Sequence, residues 1–184
     1  GALDNRISWG NGGLLTVAVR HDQPAALELL LSFGCDPDER VRSGEGPAAA
    51  WSQGRPLWEC AALNRPALAE MLLQHGANPN AHVDSSGSAV YSAYSHRHQN
   101  MVDLLLRHGG IVSADIAAIY RQTDLARQML ADDARGALPA GTLTSDRSLP
   151  EELLDFAASG GDSEIVRLAL ERIEENHISR KTLQ

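Results

Sequence analysis

A short pattern, three apolar residues followed three positions later by a glycine, recurs along the chain. It constrains the fold more than any other feature. Leu29-Leu30-Leu31-Ser32-Phe33-Gly34-Cys35-Asp36-Pro37-Asp38 aligns without gaps on Met71-Leu72-Leu73-Gln74-His75-Gly76-Ala77-Asn78-Pro79-Asn80, and a third copy opens with Leu104-Leu105-Leu106-Arg107-His108-Gly109. Gly76 and Gly109 are 33 residues apart and Gly34 and Gly76 are 42 apart, so about nine residues are inserted between the first two copies. Self-similarity at this period is the mark of a stacked repeat.

Each triplet closes a helix. Leu27, Leu30 and Leu31 share a helical face, as do Leu68, Met71 and Leu72, then Val102, Leu105 and Leu106. Asp22 and Asn64 stand two residues before Pro24 and Pro66, which predicts a capping side chain followed by a proline-set first turn. Gly34, Gly76 and Gly109 lie where a helix end turns left-handed. Ahead of each such helix runs a shorter one of small residues: Thr16-Val17-Ala18-Val19, Trp58-Glu59-Cys60-Ala61-Ala62 and Tyr91-Ser92-Ala93-Tyr94. Small side chains let neighbouring helices approach closely, and Cys60 fills an alanine's place in that packing.

Two weaker copies follow. Ala117 to Leu130 gives a fourth helix pair, 24 residues after the third when measured from Leu106 to Leu130, which leaves no room for a hairpin between them. The fifth runs from Phe156 to Leu170, its first helix announced by Ser148 and Glu151 at capping-box spacing. The expected organisation is a lead-in at 1–12 and a repeat domain over 13–173. Its units fall at 13–38, 55–80, 88–111, 112–131 and 149–173, with an insertion at 39–54 and a linker at 131–148. Residues 174–184 extend the last helix and then fray. The start at Gly1-Ala2 lacks an initiator Met, so the stretch reads as part of a longer protein.

A unit of about 33 residues with two antiparallel helices and a Gly-Ala-Asn-Pro-Asn turn resembles the ankyrin repeat. The string Gly161-Asp162-Ser163-Glu164-Ile165-Val166-Arg167-Leu168 is similar to that family's second-helix opening. The family's Thr-Pro-Leu-His opening survives only as Arg55-Pro56-Leu57-Trp58, with Gly13-Leu14-Leu15-Thr16 and Ser88-Ala89-Val90-Tyr91 in the same place, and the uneven spacing is similar to divergent bacterial members. The resemblance implies an all-α, ankyrin-type helical-repeat solenoid of about five helix-turn-helix units with short β-hairpin turns. It also implies a concave surface that binds a protein partner and regulates or inhibits it. Carried over by position, the contact residues are Arg20, His21 and Arg40 in unit one. In unit two they are Ala62, Leu63 and His82, and in unit three Asp84, Ser85, Ser95 and His96. Trp58 and Tyr91 stand where the family carries His and are expected to pack beneath the turns.

The insertion holds Gly44, Gly46, Pro47 and Trp51. Trp51 is either an exposed anchor for the partner, since Trp and Arg dominate interface energetics, or a cover folded back on the neighbouring hairpin.

Other classes of function find little support. The net charge is −8 and Lys181 is the only lysine, so the basic patch that neutralises phosphates is missing and nucleic acid is not expected as a partner. No apolar run is long enough to span a bilayer. Cys35 and Cys60 both sit inside apolar patterns, which points to a reducing compartment and the cytoplasm. His75 and His108 fall in equivalent places of adjacent units, about 8–10 Å apart for packed helices, too far to share one ion. His96 and His98, two residues apart, are expected to diverge. Neither a Gly-x-Ser-x-Gly, a phosphate loop nor a His-Glu-x-x-His is present. Gly10-Asn11-Gly12-Gly13 follows no strand and reads as a lead-in turn, while Asp132-Asp133 and Glu151-Glu152 are explained by solvent and the helix dipole. No catalytic residue, metal, cofactor or small-molecule substrate is therefore expected. The other function in keeping with the sequence is a targeting or structural repeat segment of a larger enzyme.

Overall fold

The computed structural model describes residues 13–43, 50–83 and 86–182, and their side chains other than those of 41–43, 50–52 and 179–182. The helices come in pairs: α1 (Leu14–Arg20) with α2 (Pro24–Ser32), α3 (Arg55–Ala62) with α4 (Pro66–Gln74), α5 (Ala89–Ser95) with α6 (Gln99–Arg107), α7 (Ala114–Ile119) with α8 (Thr123–Ala134), and α9 (Leu149–Gly160) with α10 (Ser163–Thr182). Between α2 and α3 lies an antiparallel hairpin of β1 (Val41–Ser43) and β2 (Ala50–Ser52), in which Arg42 stands opposite Trp51. The tip of that insertion, with Gly44, Gly46 and Pro47, lies outside the described residues, as do Gly10 to Gly12 of the lead-in turn. The chain divides into two compact bodies, residues 1–110 and 111–184.

In the first body α1 packs on α3 and α3 on α5, while α2 lies beside α4 and α4 beside α6. First helices thus form one layer and second helices the other. A seven-residue helix such as α1 has no stability of its own, so burial holds it. Leu15 and Val19 are fully buried in α1, Leu57, Cys60 and Ala61 in α3, and Val90 and Ala93 in α5.

The turn inside each pair repeats one backbone device. Asp22, Asn64, Arg97 and Arg121 have φ of 53°, 52°, 59° and 54°, and Gly161 takes the place in the fifth pair at 69°. The next N–H then reaches the carbonyl five residues back: Gln23 to Ala18, Arg65 to Cys60, His98 to Ala93, Gln122 to Ala117 and Asp162 to Ala157, at 2.8–3.1 Å. This left-handed helix ending satisfies carbonyls that would otherwise lack partners. It corrects the capping role expected of Asp22 and Asn64. The residues that cap α2 and α4 are Gln23 and Arg65, with no side-chain cap bond, and Asp22 and Asn64 supply the left-handed turn instead. Both types tolerate that conformation because a short polar side chain bonds locally.

At the far end of the second helices Gly34, Gly76 and Gly109 take φ of 81°, 90° and 85°. A methyl group added to Gly76 would meet nothing within 4 Å, so the backbone conformation alone calls for glycine. The triplets are buried unevenly. In unit three Leu104 is buried and Leu106 is 39% exposed, the reverse of the face expected for Leu106, whereas in unit one Leu31 is buried and Leu29 is 58% exposed.

Side chains tie one repeat to the next. An Arg65 guanidinium N–H donates to the Val19 carbonyl, and His98 Nδ1 donates to the equivalent Ala61 carbonyl at 2.8 Å. Asp38 accepts the Asn78 N–H at 2.9 Å, and the Asn80 amide donates to the Gly109 carbonyl at 2.9 Å.

In the second body α7 packs on α9 and α8 on α10 around Ala114, Ala117, Leu149, Leu153 and Ile165. α8 runs to Ala134, four residues into the stretch expected to be a linker. The Ser148 N–H donates to the Glu151 carboxylate at 3.0 Å, completing the capping box at α9. Buried Glu152 accepts the Thr144 N–H at 2.9 Å, which fastens the preceding loop to that helix.

Candidate functional site

The first-helix layer of the first body carries the residues with the most chemistry to offer. α1, α3 and α5 each turn one side into the core and leave a second strip partly open to solvent. The end of each helix presents the same place to solvent. His21 follows α1, Leu63 follows α3 and His96 follows α5, each as the residue that caps the helix, and all three are exposed. Ser95, the last residue of α5, is exposed beside His96, its hydroxyl donating to the Ser92 carbonyl at 2.9 Å. His96 Nδ1 lies 2.9 Å from the same carbonyl.

Arg20, one of the sequence-derived contact residues, enters an ionic cluster. Its Nε and Nη2 donate to Glu59 Oε1 at 3.0 and 2.5 Å, and Arg55 Nε donates to the same oxygen at 3.0 Å. The Glu59 side chain is 9% exposed, against 34% for Arg20 and 17% for Arg55. The Arg55 guanidinium also lies over the Trp58 ring, 4.7 Å from its centroid, in cation–π geometry. Trp58 is half-buried, and its indole N–H donates to the Ser86 carbonyl at 3.1 Å in the next turn. One buried carboxylate thus fixes two guanidiniums and, through Arg55, an aromatic ring. The sequence reading missed Arg55 and Glu59. Their four-residue spacing at the start of a helix is the signal that could have found them.

On the turn side, Arg40 and His82 are exposed, and the His82 carbonyl accepts the Gln53 N–H at 3.4 Å. The backbone of Trp51 lies in β2, while its side chain and the whole of Asp84 and Ser85 lie outside the described residues. The structure therefore puts Arg20, His21, Leu63, Ser95 and His96 on one layer of adjacent helices. It puts Arg40, Trp51 and His82 in the connections.

The histidines correct one expectation. His96 and His98 do not diverge: their rings stack with centroids 5.8 Å apart and planes 19° from parallel. The bond from His98 to Ala61 turns its ring back towards the helix end. Among the described residues no group of three His, Cys, Asp or Glu side chains is placed to hold a metal ion, and no helix is long and apolar enough to cross a membrane. Cys60 is fully buried, and burial pushes its thiol far above the ordinary range. Cys35 is raised as well, by burial first and the nearby Glu39 second.

A buried acid supports the layer from one side. Glu39, 1% exposed, accepts the N–H groups of Gly13, Leu15 and Thr16 at 3.1, 2.5 and 3.1 Å and the Thr16 hydroxyl at 2.7 Å. It does from the insertion what an N-cap side chain does locally, where Gly13 has none to offer. Burial pushes the Glu39 carboxyl up from its ordinary range, and the bonds from Thr16, Leu15 and Gly13 pull it part of the way back.

A repeat array tied by equivalent bonds, with varied side chains at equivalent exposed positions, calls for comparison with repeat families. No curated protein matches the chain significantly. A family model for ankyrin repeats, in three copies, matches residues 15–116, more than half of the 184. The chain belongs to the ankyrin-repeat family.

Proposed function

We propose that this chain binds a protein partner on its first-helix layer and the adjoining turns, that it regulates or inhibits that partner by occupying it, and that it performs no chemistry itself. Ankyrin repeats are generally protein–protein interaction modules and are typically non-catalytic. The observation that carries the proposal is the row His21, Leu63, His96: one position on three adjacent helices, exposed each time, with different chemistry on a constant frame. Arg20 and Ser95 extend that row. Arg40, Trp51, His82, Asp84 and Ser85 are the contacts proposed from the connections. Both cysteines are free, which supports a reducing compartment and the cytoplasm.

The proposal is tested by affinity capture from the source organism's extract with two surface variants. Leu63→Asp, at a site 45% exposed, should cut capture of the partner by about tenfold or more. Phe33→Asp, 73% exposed at the end of the second-layer helix α2, should leave it unchanged. Loss with Phe33→Asp and retention with Leu63→Asp would overturn the assignment of the face.

A further inference from the structure

We infer that the segment recognised by the first-helix layer is acidic, its carboxylate meeting the Arg20 and Arg55 guanidiniums beside the Trp58 ring; the inference rests on the protein-binding role proposed above. The chain as a whole is acidic, with 24 Asp and Glu against 16 Lys and Arg. The charge is not evenly placed. α1, α3 and α5 together carry Arg20, Arg55 and a single carboxylate, Glu59, which is buried beneath the two arginines. The carboxylates of the second-layer helices, Glu28, Glu70 and Asp103, stand on the other side of the array, and Asp22 in the intervening turn has Arg65 at 3.8 Å. Among the described residues, one carboxylate against two guanidiniums leaves the cluster with net positive charge on a chain that is negative as a whole.

The cluster has more cation than its own folding needs. Two like charges converge on one carboxylate oxygen, an arrangement that costs Coulomb energy. A second carboxylate from a partner relieves that repulsion and takes up guanidinium N–H groups that Glu59 leaves unused. Arg presents a planar fork matched to a carboxylate. Here the forks are held in advance by Glu59 and by the Trp58 ring, so little side-chain freedom remains to be lost on binding. Trp and Arg are also the residues most often found at the centre of binding energy. A long phosphate polymer would extend beyond the cluster over a chain of net charge −8, whereas a short acidic segment need meet only the two guanidiniums.

The test uses the whole chain and a phage-displayed library of random short linear peptides. Selected peptides should be enriched in Asp and Glu, and a synthetic acidic binder should shift the amide resonances of α1 and α3 and the Trp58 indole N–H. Its amide counterpart, with Asn and Gln for Asp and Glu, should bind at least about tenfold more weakly. Arg20→Gln alone leaves Arg55 paired with Glu59, so the variant that removes the cluster's charge is Arg20→Gln with Arg55→Gln and Glu59→Gln, checked for an unchanged far-ultraviolet spectrum. In that neutral variant, affinity for the acidic peptide should fall at least about tenfold. Neutral or basic peptides that shift the same α1 and α3 resonances would overturn the acidic inference and leave the binding face standing. Peptides that shift only α2, α4 and α6, or a library that yields no binder, would overturn both. An oligonucleotide that shifts the Trp58 indole N–H more strongly than the acidic peptide would also overturn the inference.

Discussion

The Glu39 carboxylate accepts the Leu15 N–H at 2.5 Å across 24 residues of sequence, and a methyl group on Gly13 would stand 2.6 Å from the same oxygen. The missing side chain at residue 13 and the inserted acid at residue 39 are therefore one feature: the glycine opens the space the carboxylate fills. α1, too short to stand alone, has its N-terminus closed by the insertion that follows the next helix.

Glu39→Ala strands three buried N–H groups and the Thr16 hydroxyl. Losing the partners of buried donors costs about 1–3 kcal/mol, and denaturant unfolding should show a loss in the upper part of that range. Gly13→Ala should destabilise the wild type by pushing the carboxylate aside, yet cost far less once Glu39 is Ala. The double-mutant cycle should give a coupling of about 1 kcal/mol or more. Additive losses would mean that Gly13 and Glu39 act separately.

The left-handed turn residues give a prediction of opposite sign. An L side chain at positive φ costs roughly 1–2 kcal/mol. Arg97 at 59° lacks the short polar side chain that eases this for Asp22 and Asn64. Arg97→Gly should raise stability by about 0.5–1 kcal/mol after the added freedom of the unfolded chain is subtracted. Gly76→Ala, at φ of 90° in open space, should lower it by about 1 kcal/mol with no change in packing. Thermal melts of the two variants check both signs.

The two thiols should part company on alkylation. Cys60 is fully buried and its thiol is pushed far up by burial, so the attacking thiolate is scarce and shielded. Cys35 is only partly covered. Native protein treated with iodoacetamide should carry one label, on Cys35, and gain the second on Cys60 only in denaturant. Intact-mass analysis with peptide mapping distinguishes the two, and early labelling of Cys60 would show that the α1–α3 packing opens on its own.

Much of this frame was legible in the sequence because some residues have only one use. A glycine after an apolar triplet, repeated at Gly34, Gly76 and Gly109, points to a left-handed helix end and little else. Asp22 and Asn64 misled because Asp and Asn serve equally as caps and as left-handed turn residues, and the local sequence is the same for both. Three consecutive leucines cannot report which of them faces inward, since each neighbour is turned by about a third of a circle; hence Leu104 and Leu106 exchanged places. The Glu39 cap was hidden for a different reason. Its partners are 23–26 residues away, on the far side of a helix pair, and no local pattern marks them. The Arg20–Glu59–Arg55 cluster was half visible, as an i,i+4 pair whose third member comes from the preceding unit.

That cluster should behave asymmetrically under mutation. Arg20→Ala leaves Arg55 bonded to Glu59, and Arg55→Ala leaves Arg20, so the carboxylate keeps a partner in either variant. With Arg20 a third exposed and screened by solvent, each loss should cost about 0–1 kcal/mol, as for a surface pair. Removing both strands a nearly buried carboxylate. The double variant should then lose more than the two singles together, by about 1–2 kcal/mol, and Glu59→Gln should restore most of it by abolishing the charge. Urea denaturation of the four variants and the wild type at neutral pH gives the comparison. Strict additivity would show that Glu59 is hydrated well enough to stand without either arginine, and it would remove the electrostatic preorganisation on which an acidic ligand depends.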